Sequence, residues 1–116
     1  MKSDSPPSTT PVPLLEAAER FAALGSEQRL TVVRTLVRAG EEGLTIGELG
    51  ERTGVTGSTL THHMKILAQA GLIAQAREGR RIVSTAEYEA VRDLADYLIS
   101  ECCADEGDTQ KDRCNG

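Results

Sequence analysis

Tryptophan is absent from this 116-residue sequence, and one Phe and two Tyr are its whole aromatic complement. The core must therefore come from Leu, Ile, Val and Ala, which pack compactly but bury modest area each. With about 80 residues able to order, such a chain buries only roughly 60% of the surface its unfolded form exposes. A second subunit is the natural way to complete so small a core, and a homodimer is expected. No stretch nears the ~18 consecutive apolar residues of a membrane span, and the opening MKSDSPPSTTPVP lacks the apolar run of a signal peptide. No membrane association is expected, and the chain is read as cytosolic. Cysteine is confined to the last fifteen residues, as Cys102, Cys103 and Cys114. An odd number in one place argues against a disulfide framework and for reduced thiols with a local task. The length leaves no room for a separate catalytic domain. The sequence carries no Ser/His/Asp set, phosphate loop or site for a metal-bound water, so an enzyme is not expected.

The formal charge of −5 speaks at first against a nucleic-acid partner, since binding DNA means neutralising phosphates with Lys and Arg. The distribution matters more than the total. Between residues 56 and 81 stand Lys65, Arg77, Arg80 and Arg81 against one acid, Glu78, a balance of +3. Residues 101 to 116 carry Glu101, Asp105, Glu106, Asp108 and Asp112 against Lys111 and Arg113, a balance of −3. A basic segment and an acidic end coexist.

Residues 1 to 13 hold all four prolines with Ser and Thr and few apolar side chains, a composition read as a disordered arm. The domain proper is placed at 14–103, with 104–116 as an acidic, Cys-containing tail. From Leu14 the pattern is helical, with Leu14, Ala17, Ala18, Phe21 and Ala22 at three- and four-residue spacing until Gly25. Ser26 caps a second helix whose buried stripe is expected to be Leu30, Val33, Leu36 and Val37, ending over Gly40 to Gly43. Thr45 with Glu48 three residues on is a capping-box arrangement that opens a third helix, expected to bury Ile46 and Leu49 and to break near Gly54. Thr56 or Ser58 caps the fourth, with Leu60, Met64 and Leu67 inward and Gly71 as its left-handed ending. Two helices joined by a short Gly-containing turn make a helix-turn-helix. LIAQAR and RIVST alternate in character around a Glu78–Gly79 turn, which reads as a hairpin. AEYEAVRDLADYLISECC then sets Val91, Leu94, Ala95 and Leu98 on one stripe of a last helix, expected to lie against the partner subunit. The fold class is mainly α with a β-hairpin wing, a winged helix-turn-helix of four helices, a hairpin and a final helix.

The runs LGSEQRLTVVRTL, LTIGELGERTGVTGSTLTHHMKILAQAGLI and AREGRRIVST resemble the ArsR/SmtB metal-sensing repressors in order, spacing and residue type over roughly Leu14 to Cys103. The resemblance implies a homodimer joined through its first and last helices, which holds operator DNA until an inducer arrives. The departures narrow the inducer site. Leu44 to Leu49 stand where the arsenic repressors of the best-known pattern carry a CVC-type motif, no His lies in 86–103 for a zinc-type site, and no N-terminal Cys is present.

The fourth helix begins Thr56, Gly57, Ser58, Thr59, Leu60, Thr61, His62, His63. Small hydroxyl residues and a bare Gly at a helix N-terminus admit phosphates, and their hydroxyls reach phosphate or base edges. By likeness to the family, Thr56, Ser58, Thr59, Thr61, His62 and Lys65 are assigned to double-stranded operator DNA. Ordinary capping and solvated polar residues is the bland alternative. His63 sits one turn before Leu67 and is read as a packed, hydrogen-bonded His. Arg77, Arg80 and Arg81 flank the wing turn and suit phosphate contact or a narrow minor groove, though a solvated hairpin also needs charge.

Cys102 and Cys103 admit three readings. They can be small apolar residues at the end of the last helix. They can be a redox or sulfide sensor, although a helix C-terminus beside Glu101, Asp105 and Glu106 disfavours a thiolate. Or they can be a soft metalloid site, where the bound ion itself drives deprotonation. Trivalent arsenic takes three sulfur donors, the number that Cys102, Cys103 and Cys114 supply. The function read from these features is repression of an arsenical-resistance type operon, relieved when arsenite or trivalent antimony binds these thiolates; the alternative is a thiol-redox or sulfide-responsive repressor on the same cysteines.

Overall fold

A computed structural model describes residues 12–106. The remainder of the N-terminal arm, the tail from residue 107 and with it Cys114 lie outside the described residues. The elements are α1 (Leu14–Leu24), α2 (Glu27–Ala39), a 3-10 turn at Gly40–Glu42, β1 (Leu44–Thr45), α3 (Ile46–Thr53), α4 (Gly57–Gln69), β2 (Ile73–Glu78), β3 (Arg81–Ala86) and α5 (Tyr88–Ile99). This is the expected mainly helical order with a hairpin wing, plus one short strand that the sequence reading lacked. No described helix is long and apolar enough to cross a membrane.

Local chemistry sets most of the boundaries. Ser26 has extended backbone and its hydroxyl accepts the amide of Arg29 at 3.3 Å, starting α2. At α3 the Glu48 amide donates to the Thr45 hydroxyl at 3.2 Å while the Thr45 amide donates to the Glu48 carboxylate at 2.9 Å, a complete capping box. Gly54 ends α3 in the left-handed region. The wing turn is shifted by one residue from the expected Glu78–Gly79: Glu78 faces Arg81, so the two-residue loop is Gly79–Arg80. Gly79 takes the positive φ that the first loop position of such hairpins needs.

The strand β1 pairs antiparallel with β3, Leu44 against Ser84 and Thr45 against Val83, so the sheet order is β1-β3-β2. Gly43, just before it, has φ +69, and a Cβ there would collide with the Ser84 carbonyl. The capping residue of α3 thereby lies opposite Val83 in the wing sheet.

The core gathers side chains from all five helices, with Val32, Leu36, Leu49, Leu60, Leu67 and Leu72 fully enclosed and Leu94 2% exposed. Several inward assignments change. In α2 Val32 joins Val33 and Leu36, while Leu30 and Val37 face out, because the stripe follows the packing surface and not the most apolar residues. In α1 only Ala17 and Ala23 are buried; Leu14 is 72% exposed, and Ala18 and Ala22 are also outward. Ile46, at the first position of α3, is 45% exposed, since its helix reaches the core through Leu49. In α5 Leu94 belongs to the chain's own core and is not available to a partner, whereas Leu98 is 69% exposed and Ala95 is outward too.

The last helix also ends earlier than expected, at Ile99. Ser100 turns its hydroxyl back onto the Tyr97 carbonyl at 3.2 Å, competing with the next helical bond. Acidic side chains at 101, 105 and 106 oppose the negative end of the helix. Cys102 and Cys103 therefore lie on turns beyond α5 and do not extend its stripe.

Candidate nucleic-acid interface

The fourth helix divides cleanly by face. Leu60, His63, Met64 and Leu67 are buried, while Ser58, Thr59, Thr61, His62 and Lys65 are exposed. Residues 58, 61, 62 and 65 fall at helical i, i+3, i+4 and i+7 positions, one surface stripe opposite the core. At the helix start Thr56 occupies the capping position with extended backbone, yet neither its hydroxyl nor that of Ser58 caps it. Gly57 follows with φ +61. The first-turn amides thus lack a side-chain acceptor and carry the positive end of the helix dipole. Thr61 turns its hydroxyl proton to the Gly57 carbonyl at 3.4 Å, leaving its oxygen lone pairs outward.

His63 is buried and bonded on both ring nitrogens: Nδ1 lies 3.2 Å from Arg29 Nη1 and Nε2 lies 2.8 Å from Gln28 Oε1. A guanidinium only donates, so Nδ1 accepts and Nε2–H donates to the Gln28 carbonyl. The ring is held neutral in one tautomer. Burial, then the neighbouring Arg29 charge, pushes its pKa below the usual histidine value. The other end of α4 is tied by Arg20, whose Nε donates to the Ala70 carbonyl at 3.1 Å while Nη2 pairs with Glu16 at 2.7 Å. Neither arginine was singled out from sequence; the partners stand 34 and 50 residues away, where no local pattern could mark them.

The wing places its arginines differently from one another. All three are exposed, but Arg77 lies opposite Ile82 and Arg81 opposite Glu78, so the two sit on opposite faces of the hairpin, with Arg80 at its tip. Arg81 is near enough to α3 to act on Glu48. That carboxyl is held below the usual range, first by the Thr45 backbone and hydroxyl bonds and then by the charges of Arg81 and Arg52. The sequence reading did not include Arg52.

The cysteines expected to bind metal are brought together only in part. Cys102 Sγ and Cys103 Sγ lie 3.5 Å apart, and Cys103 has a positive φ of 63°, unusual for a non-glycine residue. Among the described residues no group of three Cys, His, Asp or Glu side chains is arranged to hold a metal ion.

Residues 24–76, from the end of α1 into the wing, match the helix-turn-helix domain model. The chain is 31% identical over 99 residues to YbzH of Bacillus subtilis (strain 168), an HTH-type transcriptional regulator, covering 75% of this chain and 99% of that one. This chain belongs to the helix-turn-helix transcriptional regulators. It is also 41% identical over 63 residues to the regulator YceK of the same organism, a match spanning 54% of this chain and 62% of that protein's length. Among solved structures, an ArsR-like transcriptional regulator from Rhodococcus sp. RHA1 superposes with a TM-score of 0.66 at 25% identity, over 78% of this chain and 82% of that one. The regulator's outward α4 stripe and its wing are the two elements that a winged helix-turn-helix has available for DNA, and its relatives are regulators and not enzymes.

Proposed function

We propose that this regulator is a cytosolic homodimeric repressor that reads operator DNA with Ser58, Thr59, Thr61, His62 and Lys65 of α4, takes phosphates on the amides at Thr56 to Ser58, and grips the flanking duplex with Arg80 and Arg81 of the wing. The carrying observation is the division of α4: every residue assigned to DNA is exposed, and the intervening residues are in the core. Arg77 faces away from Arg81 and is the weaker candidate for the same groove. The dimer is supported by α1 packing on α5 with Leu14, Leu15, Leu98 and Ile99 all outward, more apolar surface than one chain covers. One structural neighbour, a winged helix-turn-helix domain from Mycobacterium bovis, is homodimeric.

The inducer assigned to the repressor is trivalent arsenic or antimony at Cys102 and Cys103, with Cys114 as third donor. Two sulfurs 3.5 Å apart on a turn directly after the exposed end of α5 support this, because soft thiolates select soft ions. The test is a fluorescence titration of the protein on a duplex from upstream of its own gene, with arsenite, antimonite, peroxide and sulfide in parallel. Arsenite should release the wild type and leave Cys102→Ser and Cys103→Ser bound. Release by peroxide or sulfide alone would transfer the assignment to the thiol-redox reading, and X-ray absorption showing fewer than two sulfur ligands on arsenic would overturn it.

A further inference from the structure

Arg29 makes two directed bonds from one planar group: Nε donates to the Ala23 carbonyl in the last turn of α1 at 2.7 Å, and Nη1 donates to Nδ1 of His63 in α4 at 3.2 Å. Its own backbone sits in the first turn of α2, where its amide donates to Ser26. Gln28 completes the bridge on the far nitrogen of the same ring. One guanidinium therefore joins three helices, and the rigid fork fixes their relative rotation as a flexible ammonium could not. The buried ring lies on the residue next to His62, which is on the outward stripe, with the two ring centres 6.2 Å apart.

We propose that Arg29, acting through His63 and Gln28, is the positioning residue for DNA reading: it sets the rotation of α4 about its own axis and ties that rotation to the end of α1. The inference rests on α4 being the DNA-reading helix. Side-chain atoms on a helix rim lie ~5–6 Å from the axis, so a rotation of about 10° carries them through about 1 Å, enough to spoil a directed base contact. Packing by Leu60, Met64 and Leu67 resists separation of α4 from the core. The paired polar bonds resist its turning, because they are short and directional.

The bridge works only while Nδ1 is an acceptor. Protonation makes it a donor facing a donor, with a second cation beside Arg29. The charged and titratable groups acting on His63 are Arg29 from α2 and His62 from α4. Acidification therefore acts on the bridge itself: a charged His63 would release it and weaken selectivity.

Anisotropy titrations on the duplex from upstream of the gene and on a scrambled duplex test this at pH 8 and pH 5.5, with thermal unfolding as the control for folding. Arg29→Lys keeps the charge and loses the fork; its preference for the promoter duplex should fall about tenfold, the equivalent of one base contact, with cooperative unfolding retained. His63→Asn keeps an acceptor facing Arg29 and cannot titrate, so its selectivity should hold level between pH 8 and pH 5.5 while that of the wild type falls. A wild type that prefers its promoter while Arg29→Lys prefers it equally, or a wild-type to His63→Asn selectivity ratio that does not move with pH, overturns this inference alone. A wild type with no preference for the promoter overturns the DNA reading of α4 and this inference together.

Discussion

α4 and α5 are almost equal in length, thirteen and twelve residues, yet they relate to the rest of the chain in different ways. α4 buries Leu60, His63, Met64 and Leu67 and receives side-chain bonds from Arg29 and Arg20, so its stance is set from within one chain. α5 buries Leu94 alone and leaves Tyr88, Leu98 and Ile99 outward. A helix completed by its own subunit and one left apolar on its free side divide two tasks: the first holds a surface rigidly, the second awaits a neighbour.

The contrast is broken most sharply by cavity formation. Leu67→Ala should cost ~2–5 kcal/mol of folding stability at any protein concentration, read by chemical denaturation, whereas Leu98→Ala should leave the dilute monomer's stability nearly unchanged. Leu98→Glu tests the other half. It should raise the dimer dissociation constant about 100-fold, equivalent to ~2.7 kcal/mol, in sedimentation runs over a concentration series. An unaltered dimer would remove α5 from the interface.

A smaller effect separates the outward α4 stripe from the wing. Arg80→Ala with Arg81→Ala should weaken promoter and random DNA alike and flatten the salt dependence by up to ~2 units, while Thr61→Ala or His62→Ala should lower discrimination with little change in slope. An unchanged slope in the wing double variant would exclude the wing from phosphate contact.

The smallest expected change lies at the start of α3. Thr45→Ala should cost about 1 kcal/mol, the ordinary value of a lost helix cap. The Glu48 carboxyl is depressed from 4.5 by the same box, so its contribution is present above that value and lost as pH falls through the lower folded value. Glu48→Gln should flatten the acid limb of the stability profile, measured by thermal unfolding between pH 5 and pH 3.

What the sequence made legible was what neighbours along the chain decide. Ser26, the Thr45–Glu48 box and Gly54 are settled within four residues and stand where the sequence puts them, while the wing turn moves by one residue, from Glu78–Gly79 to Gly79–Arg80. Thr56 takes the capping position of α4 without a capping bond from its hydroxyl, and Gly57 after it has a positive φ that the sequence alone did not mark. Apolar periodicity located helices but not which apolar residues a chain keeps for itself: Leu94 and Leu98 are one turn apart on one stripe, and one is core while the other is surface. His63 was read correctly as packed because its spacing to Leu67 is local, but its partners Arg29 and Gln28 were invisible at 34 and 35 residues' separation. Two of the three expected thiolates adjoin because they are consecutive; the loop that would deliver the third lies outside the described residues.

The two-residue strand β1 does more than its length suggests. Thr45 pairs with Val83 in β3 and also caps α3, so the hairpin is bolted to the same residue that starts the helix-turn-helix. The wing is thereby fixed to the helix-turn-helix within one chain, like the jaws of a caliper; on the proposed reading each protomer would span a constant length of duplex, and a change in the dimer would alter the distance between calipers but not the gap within either. Gly43, with no room for a side chain beside Ser84, is the rivet on which that fixed gap depends.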